Sequence, residues 1–313
     1  MLGKTAGGLF WMFRYLERAE NTARLVDAGL RIALTRSSSE EDEWASIVAT
    51  SGVRDAYLDR HKAFDAERVV DFLLREQENP SSVLSAMEGA RTNARLVRTA
   101  LTREVWEATN EGWMTIRDRL AEPAESRDLP RILDTIRQQT ALVRGTMHGT
   151  MLRNDIYDFA RIGTYLERAD NTARILDVKY YVLLPSAASI GSSLDNVQWE
   201  TILRCVSAQR AYHWLNQGDV NPQSIADFLI LDRRMPRSLA FCYDQLVDNL
   251  ARLSEGYGVE YPSLGVAQRT RKDLKGQRIE TIFEAGLHEF IERFVDRNNA
   301  LGLEIERDFR FYE

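Results

Sequence analysis

Leu16, Ala19, Ala23, Val26 and Leu30 recur at i, i+3, i+7, i+10 and i+14, which at about 100° per residue places them on one arc of a helix. Glu17, Glu20, Asn21, Arg24 and Asp27 fall on the opposite arc. The same division returns 150 residues later, with Leu166, Ala169, Ala173 and Leu176 set against Glu167, Asp170, Asn171, Arg174 and Asp177. Further helices are predicted near 42–60, 65–77, 81–107 and 130–152, and near 195–217, 222–232, 236–255 and 278–306. Pro80 and Pro236 suit the first turn of a helix, with Asn79 as a cap in the first case. The segment 121–130 reads as a linker and 185–194 as a flexible connection; about 256–277, with four glycines and Pro262, reads as a loop. Alternating β-branched runs do not occur, so no sheet is predicted.

The two polar helices belong to a longer internal repeat. Residues 15–27 read YLERAENTARLVD and residues 165–177 read YLERADNTARILD, identical at ten of thirteen positions. Downstream, Trp44 matches Trp199, Tyr57 matches Tyr212, and Asp71-Phe72-Leu73 matches Asp227-Phe228-Leu229. Asn79-Pro80-Ser81-Ser82 then faces Met235-Pro236-Arg237-Ser238, at an offset of 156. The expected architecture is therefore an all-α helical bundle in one domain, 1–313, made of two tandem repeats related by an approximate two-fold axis. The repeat units span about 8–120 and 158–277, and a C-terminal helix spans about 278–306.

Composition narrows the function classes. Apolar residues make up 44% and charged residues 28% of the 313, which excludes a disordered or collagen-like chain. With 41 basic against 47 acidic residues the net charge is −6, the wrong sign for whole-surface attraction to nucleic acid or anionic lipid. One local basic segment runs through Arg269, Arg271, Lys272, Lys275 and Arg278 and is a candidate partner-contact surface; the bland alternative is a solvated loop and helix start. Two cysteines, Cys205 and Cys242, make no disulfide framework and read as core thiols. A membrane span is not expected, since no stretch of about 18 apolar residues occurs, and a cytoplasmic location follows as the default.

The candidate site is the polar seam of Glu17, Arg18, Glu20, Asn21 and Arg24 with Glu167, Arg168, Asp170, Asn171 and Arg174. A merely solvated face would not demand Asn at both 21 and 171, because exposed pairs such as Glu20 with Arg24 contribute only about 0.3–0.5 kcal/mol. Two readings remain. The seam is a buried, mutually satisfied network that specifies the fold, or one end opens so that Arg18, Arg24, Arg168 and Arg174 grip a carboxylate or phosphate. A catalytic version makes Glu17 or Glu167 a general base, with a pKa raised toward neutrality by burial. Other templates fail: His61, His148, His213 and His288 make no Glu-x-x-His pairing for a metal centre, and neither a Walker loop nor a dinucleotide glycine fingerprint occurs, so no metal or cofactor is expected.

These residues resemble the Alpha-E family, a bacterial helical domain with a Glu-Arg signature. The resemblance rests on Tyr15-Leu16-Glu17-Arg18-Ala19-Glu20-Asn21-Thr22-Ala23-Arg24 and its second copy. Asn79-Pro80-Ser81-Ser82, Ala94-Arg95, Trp106-Glu107, Asn110 and Pro236-Arg237-Ser238 extend it over nearly the whole chain. Phe13 stands where the family pattern commonly has Gly, whereas Gly163 keeps it. Members of the family are encoded beside, or fused to, circularly permuted ATP-grasp proteins and transglutaminase-like proteins. The resemblance thus implies a helical binding or accessory module that works with a separate ATP-grasp-type ligase, or with a transglutaminase-like protein, in peptide or amide-bond chemistry. A chain that is itself an enzyme and a scaffold with a purely structural polar core are the alternatives.

Overall fold

The arc of small and apolar residues at 16–26 becomes a packing face of helix α1 (Gly3–Ala33). Its counterpart at 166–176 lies on α8 (Asp155–Val182). The two helices pack against each other at the centre of the molecule. The polar arc does not face solvent: Glu17, Glu20 and Asn21 are as buried as Leu16 and Ala19, so α1 is enclosed on nearly every side.

The computed structural model describes residues 1–33, 40–182, 193–216 and 221–312. Between the central helices come α2 (Glu40–Thr50), α3 (Arg54–Leu58), α4 (Ala66–Leu74), α5 (Val83–Leu96), a 3-10 turn (Arg98–Ala100), α6 (Arg103–Arg119) and α7 (Leu129–Thr150). After α8 follow α9 (Ser193–Cys205), α10 (Gln209–Leu215), α11 (Pro222–Ile230), α12 (Leu239–Tyr257), α13 (Pro262–Gly276), α14 (Ile279–Ala285) and α15 (Leu287–Asp308). The chain is all-helical, with no strand among the described residues. Helices α5 and α7 pack on α1, with α6 lying against both; α12 and α15 pack on α8, with α13 lying against both. Helix α2 packs on α8 and α9 on α1, and one apolar core runs through the whole.

Several sequence expectations are corrected. The stretch 256–277 is mostly helix: Gly258, in the left-handed conformation at φ 64°, caps α12, and Pro262 then starts α13. Ala267, Thr270 and Leu274 are buried one above another, so packing outweighs the helix-breaking tendency of Gly265 and Gly276. The basic residues therefore lie on a helix, except Arg278, which precedes α14. The stretch 195–217 breaks between α9 and α10 at Ser207, whose φ is 54°. Neither Pro80 nor Pro236 lies in a first helical turn. Ser82 and Ser238 are the caps, accepting from Ser85 N at 3.1 Å and Phe241 N at 3.0 Å. Asn79 instead holds the turn before α5, donating to Phe72 O at 2.9 Å and accepting from Ser81 N at 3.0 Å. The connection expected at 185–194 lies mostly outside the described residues.

The two central helices touch at Gly163. A Cβ there would stand 2.2 Å from the carbonyl oxygen of Phe10, an impossible distance without separating the helices. Phe13, at the equivalent place on α1, is buried in the core. Gly163→Ala is therefore expected to lower the unfolding free energy by about 1–3 kcal/mol, checked by urea denaturation.

Candidate functional site

The Glu-Arg dipeptides of α1 and α8 pair crosswise. Arg168 donates through Nε to Glu17 Oε1 at 2.9 Å and through Nη2 to Oε2 at 2.8 Å. Arg18 donates through Nε to Glu167 Oε1 at 2.6 Å and through Nη2 to Oε2 at 3.1 Å. Each glutamate thus receives a two-pronged guanidinium from the helix opposite, the geometry in which planar Arg binds carboxylate best. Arg14, lying over the Trp11 ring at 4.6 Å, adds a third donor to Glu167 Oε2 at 2.9 Å.

On the Glu17 side, three residues outside the predicted seam complete the network. Arg237, buried in the turn before α12, donates to Glu17 Oε1 at 3.0 Å, Asn21 Oδ1 at 3.1 Å and Glu20 Oε1 at 2.7 Å. Arg144 of α7 pairs with Glu20 and lies 3.4 Å from Glu17, and Thr140 donates to Glu20 Oε2 at 3.1 Å. Arg24 closes the group, donating to Glu20, Ser207 Oγ and Cys205 O. Arg237 was visible in the sequence only as the charged member of a turn that shares Pro and Ser with its counterpart, opposite Ser81; Arg144 had no such mark.

Burial by itself would raise these carboxyl pKa values, but the guanidiniums outweigh it. Arg168, Arg237 and Arg144 hold Glu17 far below the usual carboxylate range. Glu167 is brought down to about 2 against the burial effect by Arg18 and Arg14. Glu20 is likewise brought down to about 2, by Arg237, Arg144 and Arg24. The raised pKa that a general base at Glu17 or Glu167 would need is therefore not found: both carboxyls are buried and held down by their guanidinium partners. Of the arginines expected to grip an anion, Arg18, Arg24, Arg168 and Arg174 each hold a carboxylate of the chain itself, and Arg18 and Arg174 also line an open cavity. Burial pushes the Cys205 and Cys242 thiols up to about 12, in keeping with core residues.

The Glu167 side is not filled. A partly open cavity of about 190 Å³ lies there, lined by Glu167, Asp170, Asn171 and Arg174 of α8, by residues of α1 from Arg14 to Leu25, and by Ser81. Gly52, at φ 74°, forms part of its wall where a Cβ would come within 3.0 Å of Arg174. Asp170 accepts from Arg174 Nε at 2.7 Å. Two buried polar atoms of the lining residues have no hydrogen-bond partner among the described residues, Asn21 Nδ2 and Asn171 Oδ1. An unpaired buried amide costs on the order of 1–3 kcal/mol, so these atoms mark where a solute would gain.

The remaining basic candidates lie apart from this seam. Arg269 and Lys272 are exposed on α13; Arg271 and Lys275 come within 3.8 Å of Asp248 and Asp244 on α12, and Arg278 lies 3.5 Å from Glu280. His288 turns Nδ1 to Asp177 at 2.7 Å. No helix among the described residues is long and apolar enough to cross a membrane.

The model of the Alpha-E family, a predicted α-helical domain with a conserved ER motif, matches residues 1–309. The chain belongs to that family. An uncharacterized protein of Mycobacterium bovis and one of Mycobacterium tuberculosis are each 22% identical to it over 272 residues. The match covers 81% of this chain and 30% of each relative, so the chain spans less than a third of the length of these curated relatives. No solved structure matches.

Two expectations test the network. Glu17→Gln leaves Arg168 and Arg237 buried with a carboxylate removed and should cost about 3–5 kcal/mol in chemical denaturation. Glu20 and Glu167 are brought down to about 2 in the folded protein from the usual carboxylate value of 4.5, so the unfolded chain binds more protons between those values. Their stabilisation is complete above 4.5 and is lost as pH falls toward 2; melting temperatures should drop between about pH 5 and about pH 3, and less steeply in a Glu167→Gln variant.

Proposed function

We propose that this member of the Alpha-E family is a cytoplasmic helical binding module that works with a separate ATP-grasp-type ligase in forming or modifying peptide or amide bonds. A transglutaminase-like protein is the second candidate partner. The observation that carries the binding reading is the division of the seam: the Glu-Arg pairs are closed upon themselves, while a polar cavity with unpaired amide atoms opens beside them. In this reading the motif holds the helices and the cavity receives part of a substrate or partner.

Support for a partner in amide-bond chemistry comes from the family resemblance of the Glu-Arg motif and its associations. The curated relatives also carry most of their length outside the matched region, so this helical unit occurs joined to further chain. We read the bundle as two tandem units about an approximate two-fold axis. The relation of α5 to α1 resembles that of α12 to α8, and α2 and α9 each reach across to the opposite central helix.

The partnership is tested by mixing the purified chain with an ATP-grasp ligase from the same cell, reading complex formation by analytical ultracentrifugation and ligase turnover by ADP release. A complex and a changed turnover are expected. Two independently sedimenting proteins with unaltered turnover would overturn the partnership.

A further inference from the structure

The turn before α12 and the turn before α5 carry the same sequence frame, and each ends in a serine that caps a helix packed on its own central helix. They share the proline and that serine and differ at the first and third residues, Met235 against Asn79 and Arg237 against Ser81. Arg237 reaches across to α1 and is gripped by three acceptors, Glu17 Oε1, Asn21 Oδ1 and Glu20 Oε1. The corresponding residues on α8, 150 positions on, are Glu167, Asn171 and Asp170, and all three line the cavity that also contains Ser81. Among the described residues, Glu167 Oε1 accepts one hydrogen bond, from Arg18 Nε at 2.6 Å, whereas Glu17 Oε1 accepts from both Arg168 and Arg237. Asn171 is 8% exposed and its Oδ1 has no donor among the described residues.

We propose that this cavity binds a guanidinium group, which takes at Glu167, Asp170 and Asn171 the place that Arg237 takes at Glu17, Glu20 and Asn21. The group comes either from a free guanidino compound or from an arginine side chain of a peptide. The proposal rests on the reading of the chain as a binding module and is independent of the ligase partnership. A cavity of about 190 Å³ exceeds many times the roughly 10–15 Å³ that admits one water, so a planar guanidinium has room. Arg14, Arg18 and Arg174 add positive charge around it. The same crowding is tolerated on the filled side, where Arg237 shares two carboxylates with Arg168, Arg144 and Arg24. Burial and these neighbours bring Arg237 down to about 10, still charged at neutral pH. Planar N–H donors suit this acceptor set, since they can reach carboxylate and amide oxygens together in one plane.

The test is calorimetric titration of the intact chain with L-arginine, with agmatine, with a short peptide carrying an internal arginine, and with citrulline as the neutral near-isostere. Binding of arginine, agmatine or the peptide is expected, with citrulline at least about tenfold weaker. Binding of the free compounds identifies a small solute as the source, and binding of the peptide alone identifies a partner's side chain. Ser81→Arg should fill the cavity from within, raise the melting temperature and abolish binding. Asn171→Leu should keep the fold and weaken binding about tenfold or more; it decides the matter if the arginine variant does not fold. The proposal is overturned if no guanidino probe binds the folded wild type, if citrulline binds as well as arginine, or if a folded Ser81→Arg variant still binds. Guanidino binding without any ligase complex would defeat the partnership and leave this site standing.

Discussion

Two carboxylates on one helix face, Glu17 and Glu20, repel each other and lose hydration when α1 is enclosed, and neither penalty is removed by apolar packing. Guanidiniums from α7, α8 and the turn before α12 offset both, so the position of those elements against α1 is set by charge as well as by shape. A buried ion pair of this kind contributes little net stability compared with a well-packed apolar alternative. What it does is penalise misalignment: sliding α8 by one turn along α1 would break both crossed Glu-Arg pairs in a buried setting. The crossed Glu-Arg pairs therefore act on the register of the central helices, and the packing of α5, α7, α12 and α15 follows from that register.

Much of this was legible in the letters, and the limits have physical causes. The 3.6-residue spacing identified α1 and α8, and the Asn at both 21 and 171 argued against a solvated face. The sequence could not say which side chains would meet the polar arc, because Arg144 and Arg237 lie 127 and 220 residues from Glu17 along the chain. Helix α13 was hidden for a different reason: glycine and proline dominate a local reading, whereas the burial of Ala267, Thr270 and Leu274 on neighbouring helices determines the outcome. Asn79 looked like a cap and is a brace, since its side chain reaches Phe72 O at the end of α4 while Ser82 takes the capping position.

The two sides of the seam use the same residue types for different ends. On one, every acceptor of Glu17, Glu20 and Asn21 meets a donor from the chain; on the other, Asn171 Oδ1 meets none among the described residues, and Asn171 lines the cavity. Among the differences between the two turns, Arg237 against Ser81 is the one that places a guanidinium on the acceptors of the sealed side and none beside the cavity. Function can thus be sought where the correspondence fails, while the invariant part of the motif serves to hold the frame.

At Gly163 the spacing of α1 and α8 is set by peptide atoms, not by side chains. Such a contact behaves as a fulcrum. Asn171 lies eight residues farther along α8, a lever arm of about 12 Å at 1.5 Å rise per residue. Anything wedged beside Asn171 would tilt α8 about that point instead of lifting it away, and the tilt would be carried to α12 and α15, which ride on the same helix.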